Sequence, residues 1–565
     1  MRAYLGDVGH FFVVLSFVSS LVAALAYFFH QREKTASWLS FARLSFFTHS
    51  VSVLAVVIVL FTIIHQRYYE YHYAWEHSSN VLPVHYMISC FWEGQEGSFL
   101  LWIFWHVLIG WVLMRQKTEW EAPVMMVFGL VQAFLCSMIL GVVVFDNKFG
   151  SSPFALLRDV MPDAPVFQKN PNFIPEDGTG LNPLLQNYWM VIHPPTLFLG
   201  FALTLVPFAY AFAGLAVNKF KEWVNHALPW MTVAMLVLGI GILMGGYWAY
   251  ETLNFGGYWN WDPVENAVFV PWLVGVASIH VMIIFKNNGS ALKASFLLSA
   301  FTFLLILYST FLTRSGILGN ASVHSFTDLG LSGQLLVYLL FFVMVFLMLF
   351  FWKSNKMSSK ESKDLNVFGK EFWIFLGTTV LCLSSFHVLF VTSIPVYNTI
   401  ADNLGYRLKM APPADAMDHY GKIQIWFSIA ILLVSSTGQF FYWKKQNKNT
   451  LKNTFYYPLV FTAFLLILII IVSQWLEFRY QPSYLILLLA IAYALVANFF
   501  IAKGLTFEKA KLWGGAVTHT GVALMLFGIL YSSGYSKVVS LNTSGLLYSK
   551  EFSDEMNREN VLLFR

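Results

Sequence analysis

Roughly fourteen apolar runs, each able to cross about 30 Å of hydrocarbon at the rise of a helix, succeed one another along the 565 residues. They fall near 8–29, 43–64, 98–114, 123–144, 188–215, 228–247, 265–285, 294–312, 332–352, 372–393, 422–443, 456–474, 483–502 and 513–531. In lipid every backbone polar group must be satisfied within the protein, so runs of this length are read as helices. The expected fold is all-α, a polytopic integral membrane helical bundle of about fourteen transmembrane helices. Composition agrees: 12% of residues are charged, about half the usual share for a soluble domain. This excludes a nucleic-acid-binding module and a disordered chain. Three scattered cysteines, Cys90, Cys136 and Cys382, exclude a disulfide scaffold and are read as packing residues. The first run lacks a nearby basic region and a cleavage site, so it is expected to be a retained span.

Alternate loops differ in charge. Those after spans 1, 3, 5, 7, 9, 11 and 13 hold 21 Lys and Arg against 8 Asp and Glu; the other loops and the termini hold 14 against 22. The basic count per short loop, including Lys353, Lys356, Lys360, Lys363, Lys444, Lys445 and Lys448, carries the assignment. The positive-inside rule makes the first set cytoplasmic, which puts both termini and the 145–187 loop outside, periplasmic in a bacterium. No Lys, Arg, Asp or Glu lies mid-span, unlike the ionisable relays of secondary transporters. Histidine is the only titratable type well inside, and imidazole is a common heme ligand.

Sorted by depth, the histidines give two pairs. His280 lies about five residues inside span 7 and His519 about six inside span 14, both ~8–9 Å from the cytoplasmic surface. Equal depth permits bis-His ligation of one heme, with His49 in span 2 a rival ligand. Each imidazole could equally bond a neighbouring carbonyl. His193 opens His193-Pro194-Pro195 at the outer end of span 5, where prolines interrupt the helical ladder. His324 sits in the loop after span 8, with Arg314, whose guanidinium suits a carboxylate such as a heme propionate or else a lipid headgroup. His65, His72, His77 and His85 share an outer segment without a compact metal spacing, and His387 and His106 have no obvious partner.

Between spans 6 and 7, Tyr247, Trp248, Tyr250, Phe255, Tyr258, Trp259 and Trp261 fall within fifteen residues, among glycines that let backbone approach a surface closely. Asp262, Pro263 and Glu265 read as N-cap, N1 and N3 of the next helix, a structural assignment. The tryptophans have no comparable duty. They suit an external platform for a porphyrin face, with His193 and His324 approaching the iron axially.

Trp259-Asn260-Trp261-Asp262-Pro263-Val264-Glu265-Asn266, followed by Pro271-Trp272-Leu273, resembles the tryptophan-rich WWD signature of heme-handling proteins in cytochrome c biogenesis. Trp92-Glu93-Gly94-Gln95-Glu96-Gly97-Ser98, Leu181-Asn182-Pro183-Leu184-Leu185-Gln186-Asn187 and Leu312-Thr313-Arg314-Ser315-Gly316 make the chain similar to the large CcmF type rather than the shorter CcsA type. The resemblance implies a component of a system I heme lyase in the bacterial inner membrane, its active face periplasmic. Such proteins receive heme from a CcmE-like chaperone. With CcmH/CcmI-like thiol-handling partners they join heme vinyls to Cys-x-x-Cys-His of apocytochrome c.

By the same resemblance His193 and His324 are axial ligands of the external heme, and Trp248, Tyr258, Trp259 and Trp261 form its platform. His280 and His519 are ligands of a transmembrane heme b. Arg314 as a propionate clamp is a separate reading of the residues. The signature is less uniformly Trp-rich than is common in the family. The chain also ends about 34 residues past the last span, where relatives commonly continue. The expected division is helices 1–4 in 1–144, an outer loop at 145–187, a heme-handling core at 188–331, helices 9–14 in 332–531 and a tail at 532–565. A heme exporter and a heme-binding electron-transfer scaffold are the alternative functions.

Overall fold

The computed structural model describes residues 2–145, 147–253, 257–319, 322, 330–357, 367–407, 409–441, 448–475, 481–504 and 513–534. His324, Phe255, Lys360, Lys363, Lys444, Lys445 and the tail beyond 534 lie outside the described residues. Nineteen α-helices and one two-stranded sheet occur among the described residues.

In chain order the helices are α1 (Arg2–Glu33), α2 (Ala36–His65), α3 (His72–His77), α4 (Val84–Glu93), α5 (Gln95–Arg115) and α6 (Glu121–Met138). The strands β1 (Val142–Val144) and β2 (Asn147–Phe149) follow, then α7 (Leu157–Val160), α8 (Pro165–Lys169), α9 (Tyr188–Ala216), α10 (Trp223–Thr252), α11 (Pro263–Asn288) and α12 (Leu292–Arg314). The remainder is α13 (Ser332–Ser354), α14 (Lys370–Thr392), α15 (Ile394–Asn403), α16 (Ala416–Gln439), α17 (Lys448–Trp475), α18 (Pro482–Lys503) and α19 (Trp513–Ser533). Fourteen of them are long and apolar enough to span a bilayer. The chain is a multi-pass membrane protein.

Several boundaries differ from the hydropathy reading, and two of them bear on the site face. The fourth span stops at Met138 because Gly141 turns the chain at φ +61° and the β-branched Val142–Val144 pairs antiparallel with Asn147–Phe149. The sixth runs on to Thr252, so Tyr247, Trp248 and Tyr250 lie on the last turns of α10 rather than in a loop.

The chain forms two compact units. The first holds Met1–Leu365 and Ile374–Lys422, the second Asn366–Trp373 and Ile423–Arg565. In the first, Trp102, Trp120 and Trp223 are fully buried among the helices. A buried carboxylate needs a partner in lipid, and Glu121 has one: Arg43 donates Nε and one terminal nitrogen to its two oxygens, both at 2.7 Å. Alternation of spans within this unit brings the start of α9, the end of α10, the start of α11, the end of α12 and the start of α13 to one face. The second unit is cored by Leu432, Leu488, Ile491 and Ala523.

On that same face of the first unit, α3 and α4 enclose a polar cluster. The Tyr73 hydroxyl donates to the Phe91 carbonyl at 2.9 Å and accepts from Gly94 N at 3.2 Å. A Cβ at Gly97 would lie 1.7 Å from the Phe91 oxygen, so the Gly94-Gln95-Glu96-Gly97 turn requires glycine there. His77 lies 3.1 Å from a Glu93 oxygen and 3.6 Å from Glu76. Burial alone would lower the His77 pKa, but Glu93, Glu76 and Glu96 together raise it above the ordinary histidine value.

That pair stabilises the fold in full below the unfolded histidine pKa of about 6.5, and its contribution fades as pH rises through the raised folded value. In detergent, the melting-temperature gap between wild type and His77→Gln should be widest near pH 6 and close with increasing pH. A gap that widens with pH would contradict this.

Candidate heme site

His193 lies in the second turn of α9, which passes through Pro194 and Pro195 without ending. Pro194 has no N–H for the carbonyl of Met190 four residues back. Trp92 supplies the missing donor: its indole Nε1 donates to the Met190 oxygen at 3.1 Å. The Trp-Glu-Gly motif and the His-Pro-Pro motif thus meet, a contact that neither motif announces alone.

The His193 ring is oriented from α10. Its Nδ1 is 2.9 Å from the Gly241 carbonyl, which can only accept, so the proton sits on Nδ1 and Nε2 is the unprotonated nitrogen. Two adjacent glycines allow the approach. A Cβ at Gly245 would lie 2.8 Å from His193 Cε1, and one at Gly246 would lie 2.9 Å from the Tyr258 carbonyl. The same turn of α10 therefore abuts both the imidazole and the tryptophan-rich segment.

The Leu181–Asn187 motif closes the other side. Asn187 caps α9 by accepting from Trp189 N at 2.8 Å and donates its amide to Glu251 at 2.9 Å. Trp248 Nε1 donates to the Leu184 carbonyl at 3.2 Å, and Trp189 packs on Tyr247 with centroids 4.8 Å apart.

Residues 260–266 form a hook. Asp262 Oδ1 accepts from Val264 N at 2.8 Å, while Glu265 Oε2 accepts from Asp262 N at 3.1 Å and Asn260 N at 2.9 Å, completing a capping box with Pro263 in the first turn. Asn266 Nδ2 donates to the Trp261 carbonyl at 3.0 Å. Trp261 has φ +54°, a left-handed conformation costly for a bulky side chain. The rings of Trp259 and Trp261 are perpendicular, 88° apart at 5.8 Å. Tyr420 stacks on one face of Trp261 at 4.9 Å and 20°. Tyr420 also touches His387 and His419, themselves stacked at 5.4 Å, so the structure gives His387 the partner that the sequence withheld.

Arg314 ends α12, nearly buried, with its guanidinium 5.1 Å from the Phe99 ring centre and 5.8 Å from that of Phe198. Glu96 and Tyr73 are its electrostatic neighbours. Ser322 Oγ donates to Asp262 Oδ1 at 2.7 Å.

The deeper histidines sit in different units. In the first, His280 Nδ1 is 2.8 Å from the Val276 carbonyl, again leaving Nε2 unprotonated. In the second, the Gln439 amide nitrogen, which also donates to Asn498 Oδ1, lies 2.7 Å from His519 Nδ1, so that ring nitrogen accepts. The rival, His49, is fully buried with Nδ1 2.9 Å from the Ser16 carbonyl. Among the described residues no group of three or more His, Cys, Asp or Glu could hold a bare metal ion. His193 and His280 are each oriented through Nδ1 by a backbone carbonyl, the form in which neutral histidine ligates iron through Nε2. These residues fit a heme.

If Gly245 sets the position of His193, Gly245→Val should weaken binding of added ferric heme on the order of tenfold. Gly421→Ala, where a Cβ meets nothing within 4 Å, should leave it unchanged. Equal affinity in both variants would contradict the assignment.

The family model described as "Cytochrome C assembly protein" matches residues 92–319. The chain is 28% identical to "Cytochrome c-type biogenesis protein CcmF" of Haemophilus influenzae over 94% of this chain and 79% of that protein. It is 31% identical to the protein of the same name from Pseudomonas aeruginosa, over 83% of this chain and 68% of that one. A solved structure titled "Cytochrome c Heme Lyase CcmF" superposes with TM-score 0.72 at 24% identity, covering 95% of this chain and 78% of that one, a likeness of fold.

Proposed function

Since the chain belongs to the CcmF family of cytochrome c-type biogenesis proteins, we propose that its role in cytochrome c maturation is that of a heme lyase component. It binds heme as substrate at the face formed by His193 and the tryptophan-rich segment, and takes part in attaching it to apocytochrome c. That face is periplasmic, as are both termini, and the membrane is the bacterial inner membrane. The observation that carries the reading is the shared turn of α10, where Gly245 abuts the His193 ring and Gly246 abuts the Tyr258 backbone.

Heme enters from a CcmE-like chaperone, and CcmH/CcmI-like partners present the reduced Cys-x-x-Cys-His segment. His193 supplies Nε2 to the iron from one side and His324 the opposite ligand. A porphyrin lying flat on Trp259 meets Trp261 edge-on, because the two indoles are perpendicular. Trp248 and Tyr258 extend the platform. Arg314 would pair with a propionate. Each thioether forms when a cysteine S–H adds across a vinyl C=C, sulfur to the carbon beside the ring and the proton to the terminal carbon. The step consumes no oxidant or reductant, and holding thiol and vinyl together is its main catalytic requirement.

By the family resemblance His280 and His519 would hold a resident heme b, which would supply one-electron redox chemistry when bound. The surroundings of His280 support this: the Val276 carbonyl holds its ring by Nδ1, which leaves Nε2 of the neutral ring toward iron.

The test is the visible spectrum of purified protein, oxidised and dithionite-reduced, beside the yield of holocytochrome c on co-expression. A low-spin b-type spectrum should be lost in His280→Ala/His519→Ala. His193→Ala should retain that spectrum and lower holocytochrome on the order of tenfold or more. Full maturation by His193→Ala would overturn the outer site. A wild type that stays heme-free on reconstitution would overturn the inner one.

A further inference from the structure

Asp262 is read from sequence as a helix cap, and one of its oxygens caps α11. That same Oδ1 accepts the Ser322 hydroxyl at 2.7 Å from a position sixty residues away. The second bond has no part in capping. Ser322 belongs to the connection from α12 to α13, and in the sequence it stands two residues before His324.

Both ends of the contact are fixed. Asp262 lies in the hook held by Glu265 and Asn266, is 8% exposed, and has little freedom to follow a moving partner. Past α12 the chain turns tightly: Ser315 N bonds the Phe311 carbonyl at 3.0 Å, Gly319 N that of Gly316 and Ser322 N that of Leu318, both at 3.0 Å, with Gly316 at φ +74°. At the far end, Gln334 near the start of α13 accepts from Gly150 N at 3.1 Å and donates to Ser137 Oγ at 2.7 Å. Between these anchors, Ser322 to Asp262 is a direct tie from the connection to the tryptophan-rich segment. A hydroxyl bonding a carboxylate is charge-assisted, the stronger class of hydrogen bond.

We propose that Asp262 and Ser322 are a positioning pair that ties the chain at Ser322, two residues before His324 in the sequence, to the segment bearing Trp259 and Trp261. Asp262 thereby has two roles in one carboxylate: it starts α11, and it holds Ser322. The inference rests on the proposed outer heme site. It predicts that Ser322 acts on heme ligation without touching heme.

The test uses full-length protein carrying His280→Ala/His519→Ala, so that added heme reports the outer site. Ferric heme is titrated into this background and into the same background with Ser322→Ala or Ser322→Thr, with melting temperature as the folding control. Ser322→Ala should weaken heme binding on the order of tenfold, the worth of one charged hydrogen bond, and shift the spectrum from low to high spin. Ser322→Thr restores the hydroxyl and should restore both. Asp262→Asn keeps a capping acceptor and should fall between them.

In parallel, amide hydrogen exchange is followed in heme-free protein. Loss of the tie should speed exchange at residues 315–319 and 322 in Ser322→Ala and not in Ser322→Thr. Unchanged exchange, or heme binding by Ser322→Ala within about twofold of its background, would overturn the pair. A background that binds no heme while Ser322→Ala still accelerates exchange would retain the tie and refute the outer heme site instead.

Discussion

A carbonyl that has lost its donor is expensive at the edge of a bilayer, and Pro194 creates one at Met190. An unsatisfied acceptor costs up to about 1–3 kcal/mol when fully buried, and the half-buried Met190 carbonyl lies on the helix that must present His193. Trp92 removes the cost by donating its indole N–H. With that bond made, α9 continues through two prolines, and the imidazole stands on a helix rather than on a loop. The remaining geometry follows from this placement. The ring can rest against Gly245 only because α9 and α10 pack closely there, and the Gly241 carbonyl then fixes which nitrogen carries the proton.

The tryptophan-rich segment is rigid for a related reason. Trp261 occupies a backbone region that its side chain disfavours, and Asn266, Glu265 and Asp262 hold the neighbouring backbone groups. Such strain is kept where a side chain has to be aimed. The aim is specific: Trp261 has one face against Tyr420 and stands perpendicular to Trp259. The two indoles therefore offer a flat surface and an edge, a corner for a planar ligand rather than a continuous floor.

Much of this was legible in the sequence. Hydropathy located all fourteen spans, because lipid forces long apolar runs into helices whatever their neighbours are. The Asp-Pro-x-Glu string announced a cap because capping is local. What was hidden depends on contacts between distant segments. Nothing near Trp92 says that its indole answers Met190, although the two prolines do say that a donor is owed. Ser322 gives no local sign of its bond to Asp262, nor does His387 of its stack on His419. The fourth span was drawn too long because Val142–Val144 is as apolar as a helix end, and only the strand partner after the turn distinguishes them.

The central claim is that the turn of α10 bearing Gly245 and Gly246 joins an imidazole and an aromatic corner into one heme-binding face. The most direct test is a cryo-electron microscopy map of the protein reconstituted with heme in lipid nanodiscs. The account predicts porphyrin density flat against Trp259 with the iron within bonding distance of His193 Nε2. Density for heme bound elsewhere on the chain, with no iron near His193 Nε2, would contradict it.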